Sequence, residues 1–356
     1  MLQHGPDRTN SRTAGSGQPI GGDLMEVDRS RAKRVASEAF QAHGIAPADS
    51  DLAADVLVTA DAMGKGSHGL LRLPRYVRGI EHGNVDPEGK IEVVRDSGAA
   101  ATLDGGSKLG ATVATRAIAE AMDRADEYGV GVVGAHSSNH LGMLGYYTNQ
   151  ARHDGYVAIG MTNTEPAMPP YGGSEPILGT NPIAIGLPTH PPFNLDMSTS
   201  SIARGKILEK SEQGGSISEE IALDSQGEPT TDPEAALEGT ILPFGGPKGS
   251  GLAIAVEILA GGLVGAAMGR EVTGTYHTED PCTKGDLFAI IDPDALAGKG
   301  FADRASEYLH SLKREPLASG FDEIRLPGER SVKRERNAET ISIDDDLWEE
   351  VQSLTE

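Results

Sequence analysis

The sequence predicts an α/β protein that opens with a helical region. Apolar residues recur at helical spacing through most of 27–82, and from Ile91 short apolar runs alternate with segments of helical length. Cys282 is the only cysteine among 356 residues, so no intramolecular disulfide or thiolate-rich metal site holds the chain. Its apolar core must do so.

Residues 5–22 are dominated by Gly, Ser, Pro, Gln and Thr, which cannot bury enough surface to offset the entropy of ordering. Residues 1–24 are therefore expected to be a disordered leader. They contain no apolar run of signal-peptide length, and no later uninterrupted apolar stretch is long enough to span a bilayer. This pattern leads us to expect a soluble, cytoplasmic protein without a membrane partner. Helices are expected at 27–43, 49–63 and about 70–82. In the second, Leu52, Val56, Leu57 and Ala60 share a face, and Asp49 or Ser50 is placed to cap the free amides. Asn84-Val85-Asp86-Pro87 ends this region as a turn.

Strands are expected at 91–94 and 100–103, a helix at 112–128, a buried strand at 130–135, a helix at 143–153 and a strand at 156–162. Further strands are expected at 183–187 and 193–196, followed by a helix beginning near Ile202. Residues 249–268 read as a long helix, apolar nearly all round, the pattern of an element buried in a core or a subunit interface. A strand at 287–291, a helix at 294–312 and a short helix at 347–354 complete the chain. No internal repeat is visible.

Net charge is -22, and the 31 basic residues divide into 11 Lys and 20 Arg. Such a surface repels phosphate backbones, and no basic cluster with interleaved aromatics reverses the local sign, which argues against nucleic acid and anionic membranes as partners. The acidic residues are scattered over helix faces, as in Glu234, Glu238, Asp303, Glu307, Asp344 to Asp346, Glu349 and Glu350. This resembles the acidic surface of a halophilic protein. The competing explanation is an ordinary acidic cytosolic enzyme.

Gly129-Val130-Gly131-Val132-Val133-Gly134 satisfies the dinucleotide-binding expression G-x-G-x-x-G, but its glycines follow a helix and merge into a strand instead of opening a helix. They are expected to serve a tight helix-to-strand turn. His136 and His140 have a metal-ligand spacing, yet the glutamate of H-E-x-x-H is absent and His136 ends a strand, so no metal is expected.

The segment Gly66-Ser67-His68-Gly69-Leu70-Leu71-Arg72-Leu73-Pro74-Arg75-Tyr76 is more pointed. His68, Arg72 and Tyr76 recur every four residues and would share a helical face, with Pro74 making the first turns irregular. A guanidinium holds a carboxylate through two parallel hydrogen bonds, and an imidazole delivers or accepts a proton near neutrality; both are needed to reduce a 2-oxo acid. Asp196-Met197-Ser198-Thr199-Ser200 follows a strand and leads into a helix, an anion-binding position. Gly245-Gly246-Pro247-Lys248-Gly249 opens the long apolar helix in the same way, with Lys248 offering a charge to phosphate.

These segments, in this order, resemble the malate/L-lactate dehydrogenase family that is distinct from the Rossmann-fold enzymes of the same names. The likeness stands on SHGLLRLPRY, SNHLGMLGYY, PPYGGSEPILGTNPIAIGLP, DMSTSSIARGK, PTTDP, LPFGGPKGSGLAIAVEILAGGLVGA and LPGER, and covers nearly all of 27–337. It implies an α/β (α+β) fold with a non-Rossmann mixed-sheet cofactor domain. That domain would occupy 87–299, with a mainly helical substrate and dimerisation region built from 25–86 plus about 300–356.

The resemblance further implies a homodimer that uses NAD or NADP to interconvert a small 2-hydroxy acid and its 2-oxo acid, with imino-acid reduction as the alternative on the same scaffold. His68 or His140 would be the proton donor and acceptor. His68 is favoured because it shares its segment with the carboxylate-binding arginine, while His140 matches the acid/base position of some relatives. Ser67, Arg72 and Tyr76 would hold the substrate. Thr164, Asp196, Met197, Ser198, Thr199, Ser200, Lys248, Gly249, Gly328, Glu329 and Arg330 would contact the cofactor. Ser250 departs from the family pattern, where an aromatic commonly follows Lys-Gly, as does His136, where Arg is common. Residues 217–221 lack the usual Ile-Pro and Trp. A non-catalytic binding protein would not need His68, Arg72, His140 and Lys248 together, and a hydrolase using His136 and His140 would need a metal.

Overall fold

The structure, a computed structural model, describes residues 24–356. The expected leader lies outside the described residues except for Leu24, which opens a strand. In chain order the elements are β1 (Leu24–Asp28), α1 (Arg29–Ala42), α2 (Pro47–Ala62), α3 (Leu73–Glu81), β2 (Glu92–Ser97), β3 (Ala100–Asp104), α4 (Gly110–Tyr128), β4 (Val130–His136), α5 (Leu144–His153), β5 (Val157–Thr162), β6 (Ile183–Leu187) and β7 (Phe193–Met197). Then follow α6 (Arg204–Glu212), β8 (Ala222–Leu223), α7 (Pro233–Glu238), β9 (Thr240–Ile241), α8 (Pro247–Val256), β10 (Asp286–Ile291), α9 (Pro293–Ala297), α10 (Phe301–Leu312), α11 (Glu329–Asn337), β11 (Thr340–Asp344) and α12 (Asp345–Ser353).

Seven strands form one mixed sheet in the order β2-β3-β4-β10-β5-β6-β7. Only β3 and β4 run parallel; every other neighbouring pair is antiparallel. A doubly wound dinucleotide fold needs a parallel sheet, so this is a different α/β architecture. The glycine-rich expression is structural here. Gly129 caps the C-terminus of α4 at φ 79, and a Cβ on Gly131 would fall 1.9 Å from the Ala121 carbonyl, so the glycines let α4 lie against β4. Val113, Ala114, Ala117, Ile118, Ala121 and Ala125 form the buried stripe of that helix.

The apolar core runs without a break from Phe40, Leu57 and Trp348 to Val133 and Phe288. The chain ends meet in an antiparallel pair, with Leu24 opposite Asp344, and Arg29 reaches Glu335 at 2.6 Å. Neither β1 nor β11 is apparent from periodicity, because each pairs only with a segment more than 300 residues away in sequence.

Several local expectations are corrected. The first helix starts at Arg29, with the Asp28 carboxylate accepting from Arg31 N. Helix α2 starts behind Ala46 with Pro47 at its first position, so Asp49 falls in the first turn and Ser50 donates to the Ile45 carbonyl instead of capping. Left-handed Gly298 and Gly300 split the helix expected at 294–312 into α9 and α10.

The long apolar helix begins at Pro247 and continues through a π turn and a 3-10 turn to Val264, short of Met268. Its 18 residues have a mean hydropathy of 1.3, long and apolar enough by length and composition to cross a membrane, although Lys248 and Glu257 interrupt its apolar run. Of its residues 44% are buried within the protein, and Glu257 pins it by accepting bonds from the side-chain amides of Asn163 and Asn181 and from Gly269 N.

Candidate active site

The loop between α2 and α3 carries Ser67, His68 and Arg72. Their spacing suggests one α-helical face, but Gly66–His68 and Leu70–Arg72 form two successive 3-10 turns and only Tyr76 lies on α3. The turns are held by Asp61 on α2, whose carboxylate accepts from Leu70 N at 2.8 Å. A Cβ on Gly69 would lie 1.9 Å from the same carboxylate, so only glycine lets the loop pass over it. Leu70, Leu73 and Val77 anchor the segment in the core.

The second loop follows β4. Asn139 is buried, and its amide donates to the carbonyls of Asn84, Ser107 and Lys108 at 2.8 to 3.2 Å, which fixes the backbone beside His140. The two loops meet at the histidines. The His68 and His140 rings stack with centroids 6.0 Å apart, and the Tyr76 hydroxyl lies 2.7 Å from His140 Nδ1. Gly142 N donates to the same nitrogen at 3.2 Å. Because that N–H can only donate, Nδ1 is the acceptor and the proton of the neutral ring sits on Nε2. Ser67 Oγ is 2.9 Å from His68 Nδ1, and Arg72 Nε donates to the Ser67 carbonyl at 2.6 Å, which leaves the rest of its guanidinium without a protein acceptor among the described residues.

The electrostatics follow from this crowding of cations. Burial, then Arg72, His68, Lys284 and Arg75, hold His140 well below the usual imidazole range. Burial and Arg72 lower His68 to about 4, against a favourable contribution from Asp196. Burial raises the Tyr76 phenol. The free protein thus holds two neutral imidazoles beside a guanidinium able to take a carboxylate.

The residues expected at a cofactor are brought together in a different manner. Thr180 N donates to Thr164 Oγ1 at 3.0 Å, Thr199 N and Oγ1 both donate to the Thr180 carbonyl, Phe244 N donates to the Thr199 carbonyl, and Gly249 N donates to the Phe244 carbonyl. One hydrogen-bonded path therefore joins Thr164, Thr199 and Gly249. The expectation that the hydroxyls of Ser198 to Ser200 stand at a helix N-terminus is corrected: α6 starts only at Arg204, Ser198 and Ser200 bond each other at 2.8 Å, and Thr199 is fully buried. Met197 closes β7 opposite Ile183.

Lys248 is exposed and has no carboxylate partner among the described residues. Asp196 pairs with Lys65 and, with Asn194, Gly328 and Ser331, lines a cavity of about 120 Å³. Gly328 is the N-cap of α11, and the first-turn amides of Arg330 and Ser331 find no acceptor among the described residues, a donor set suited to phosphate. The Arg330 side chain is exposed, whereas both Glu329 oxygens are engaged by Lys313 at 2.6 Å.

A family model described as malate/L-lactate dehydrogenase matches residues 27–352. The chain belongs to that family. It is 43% identical to the L-sulfolactate dehydrogenase of Methanothermobacter thermautotrophicus over 335 residues, 93% of this chain and 96% of that one. It is 33% identical to the (2R)-3-sulfolactate dehydrogenase (NADP(+)) of Chromohalobacter salexigens, covering 90% of this chain and 96% of that one. The solved sulfolactate dehydrogenase of Methanocaldococcus jannaschii superposes with a TM-score of 0.89 at 43% identity, covering 93% and 96% of the two chains. As a member of this family the chain is an oxidoreductase of the 2-hydroxy acid dehydrogenase type.

Two departures from the family pattern are accommodated locally. Ser250 is buried and its hydroxyl accepts from Tyr171 N at 2.9 Å. His136 Nδ1 is 3.0 Å from Ser137 Oγ, so His136 and His140 serve different neighbours. Sequence reasoning passed over Asp61, Lys65, Arg75, Tyr276 and the buried pair formed by Lys284 with Asp286, in which the ammonium reaches both carboxylate oxygens at 2.6 Å. A signal for the last existed: Lys284 and Asp286 stand at alternate positions at the start of an apolar strand, where charges are unexpected.

Proposed function

We propose that the protein interconverts a small 2-hydroxy acid and its 2-oxo acid with NAD or NADP, using His140 as acid and base and Arg72 as the grip on the carboxylate. The observation that carries this is the meeting of Tyr76, His140 and His68 beside a guanidinium with no carboxylate of its own. His140 is preferred to His68 because two donors fix its Nδ1, which orients the ring and presents Nε2. His68 and Ser67 flank the substrate oxygen.

When bound, the nicotinamide supplies or takes the hydride at the substrate's second carbon. The residues that fit a dinucleotide are Lys248, the free amides at the start of α11 next to Gly328, Glu329 and Arg330, and the frame of Thr164 and Asp196 to Ser200. The chain's own contribution is positioning and the proton. A carboxylate seated on Arg72 cancels part of the positive field that keeps His140 neutral, so the imidazole gains basicity as substrate arrives. The added proton enters at Nδ1, displacing the Gly142 N–H, and the imidazolium then donates from Nε2 to the developing alkoxide, which leaves the neutral ring protonated on Nδ1 with Nε2 free to accept the proton in the reverse reaction. Tyr76, whose hydroxyl both donates and accepts, keeps its bond to Nδ1 in either charge state.

The exposed side of the long apolar helix presents Ile254, Ile258 and Leu263, with Met268 just beyond its end, each at least 40% exposed, and supports a homodimer formed through this face. A cytoplasmic setting is consistent with the lone buried Cys282. The acid excess supports adaptation to salt, to be tested by unfolding in increasing potassium chloride. The function itself is tested by following NADH and NADPH oxidation with oxaloacetate, pyruvate, sulfopyruvate and piperideine-2-carboxylate at high salt. Turnover of a 2-oxo acid is expected, and turnover of the cyclic imine alone would replace this reading with imino-acid reduction.

A further inference from the structure

Tyr147 lies in the first turn of α5, seven residues after His140, and is fully buried. Its ring is wedged edge-on against Tyr146 and Phe288, at centroid distances of 5.3 and 6.0 Å. From that seat its hydroxyl donates to the Leu141 carbonyl at 2.5 Å. Burial pushes the phenol well above its usual range, so the hydroxyl remains a donor.

The Leu141 carbonyl and the Gly142 N–H belong to one peptide group, and in a trans peptide the two point in opposite directions. A hydroxyl that holds the oxygen therefore aims the N–H, and this N–H is the one that donates to His140 Nδ1 at 3.2 Å. Accepting a bond at the carbonyl also polarises the peptide and strengthens its N–H as a donor. Glycine is required at the second position, which stands at φ 78 and where a Cβ would lie 2.7 Å from Val56 Cγ1. The Tyr76 hydroxyl on the same imidazole nitrogen can donate or accept, and by itself it fixes no tautomer. The tautomer thus rests on the Leu141-Gly142 peptide, and the orientation of that peptide on Tyr147.

We propose that Tyr147 is a positioning residue for the proton transfer: by fixing the Leu141-Gly142 peptide it keeps the proton of the resting His140 ring on Nε2. This rests on the reading of His140 as acid and base given above. Tyr146 supplies the control. Its hydroxyl donates to Asp55 Oδ2 at 2.6 Å, a comparable hydrogen bond from the neighbouring residue that ends on α2 and not on the His140 loop.

The test compares the wild type, Tyr147→Phe and Tyr146→Phe. Nitrogen NMR of the free protein carrying isotope-labelled histidine reads the tautomer, with the His140 signals assigned by their loss in His140→Gln. Burial and the neighbouring Arg72, His68, Lys284 and Arg75 keep the ring neutral in all three proteins, so its nitrogens report the tautomer and not the charge. The wild type and Tyr146→Phe are expected to show Nδ1 as the unprotonated nitrogen, and Tyr147→Phe to show both tautomers in exchange. With oxaloacetate, pyruvate or sulfopyruvate, Tyr147→Phe should lower kcat by about 10-fold, the scale of one net hydrogen bond, with KM for the acid little changed. Tyr146→Phe should leave both constants as they are. A wild type protonated on Nδ1, a Tyr147→Phe protein with the wild-type tautomer or the wild-type kcat, or an equal loss of kcat in the two variants overturns the proposal and leaves the 2-hydroxy acid reading intact. Absence of turnover with all three acids removes that reading and this proposal with it.

Discussion

The loops at 66–76 and 137–142 and the path from Thr164 to Gly249 use their polar groups in opposite ways. In the first region the backbone is fixed from beneath, by Asp61 and Asn139, and the side chains above it meet in a cluster with an unneutralised guanidinium. In the second, the hydroxyls themselves are the fixings: Thr164 and Thr199 hold other parts of the backbone, and Ser198 and Ser200 hold each other. A buried hydroxyl engaged by a carbonyl is part of a frame, whereas a cation without an acid is prepared for a ligand. Residue type alone suggests ligands in both regions. Partners separate the two cases.

The largest expected effect lies in the first region. Arg72→Met should lower kcat/KM for every 2-oxo acid by about 10³-fold, measured with oxaloacetate, pyruvate and sulfopyruvate, because all share the carboxylate that this guanidinium is proposed to hold. Unchanged kcat/KM in Arg72→Met would show that the carboxylate is held elsewhere.

Asp61 provides a smaller test within the same region. Burial raises its carboxyl from the usual 3.8 to about 7. A folded value above the unfolded one gives stability that is complete below about pH 4 and lost as the pH rises through 7, since the unfolded chain ionises first. Asp61→Asn cannot ionise, so its urea midpoint should gain on the wild type across that window, by on the order of 1–3 kcal/mol. Lowered His68 acts in the opposite direction, with stability lost as pH falls from its ordinary range towards 4, but it is present in both proteins and cancels in the difference. Parallel midpoints from pH 4 to 8 would show that Asp61 is ionised throughout.

The smallest effect belongs to the second region. Thr199→Val removes the buried bond to the Thr180 carbonyl and should cost about 1–2 kcal/mol in the urea transition. Because the hydroxyl frames the proposed cofactor site, KM for NADH or NADPH should rise more than kcat falls. A large loss of kcat with unchanged stability would make Thr199 a direct participant and erase the contrast between the regions.

Much of this arrangement is legible in the residues. Strands and helices from 91 to 162 fall within a few residues of their expected places, because alternating burial on a sheet and a small-residue stripe such as that of α4 leave clear periods. The pairing of Ser67, His68, Arg72 and Tyr76 with His140 is legible as a list of chemical groups. Their geometry is not, since Gly69 and Pro74 exchange one helical face for two 3-10 turns. The seating of the Arg75 guanidinium 4.3 Å from the Tyr276 ring centroid is invisible to pattern because the two residues lie 201 positions apart, and the β1 to β11 pair is invisible for the same reason. The hydroxyls of Ser198 to Ser200 mislead because a cap and a frame use the same residue types.

The central claim is that His140, fixed through Nδ1 by Tyr76 and Gly142, moves the proton. Single-turnover reduction of a bound 2-oxo acid in His140→Ala and His68→Ala tests it most directly. The account predicts that His140→Ala loses about 10²–10⁴-fold in the single-turnover rate, the usual contribution of general acid catalysis, while His68→Ala mainly weakens substrate binding. A single-turnover rate that survives in His140→Ala and collapses in His68→Ala would contradict it.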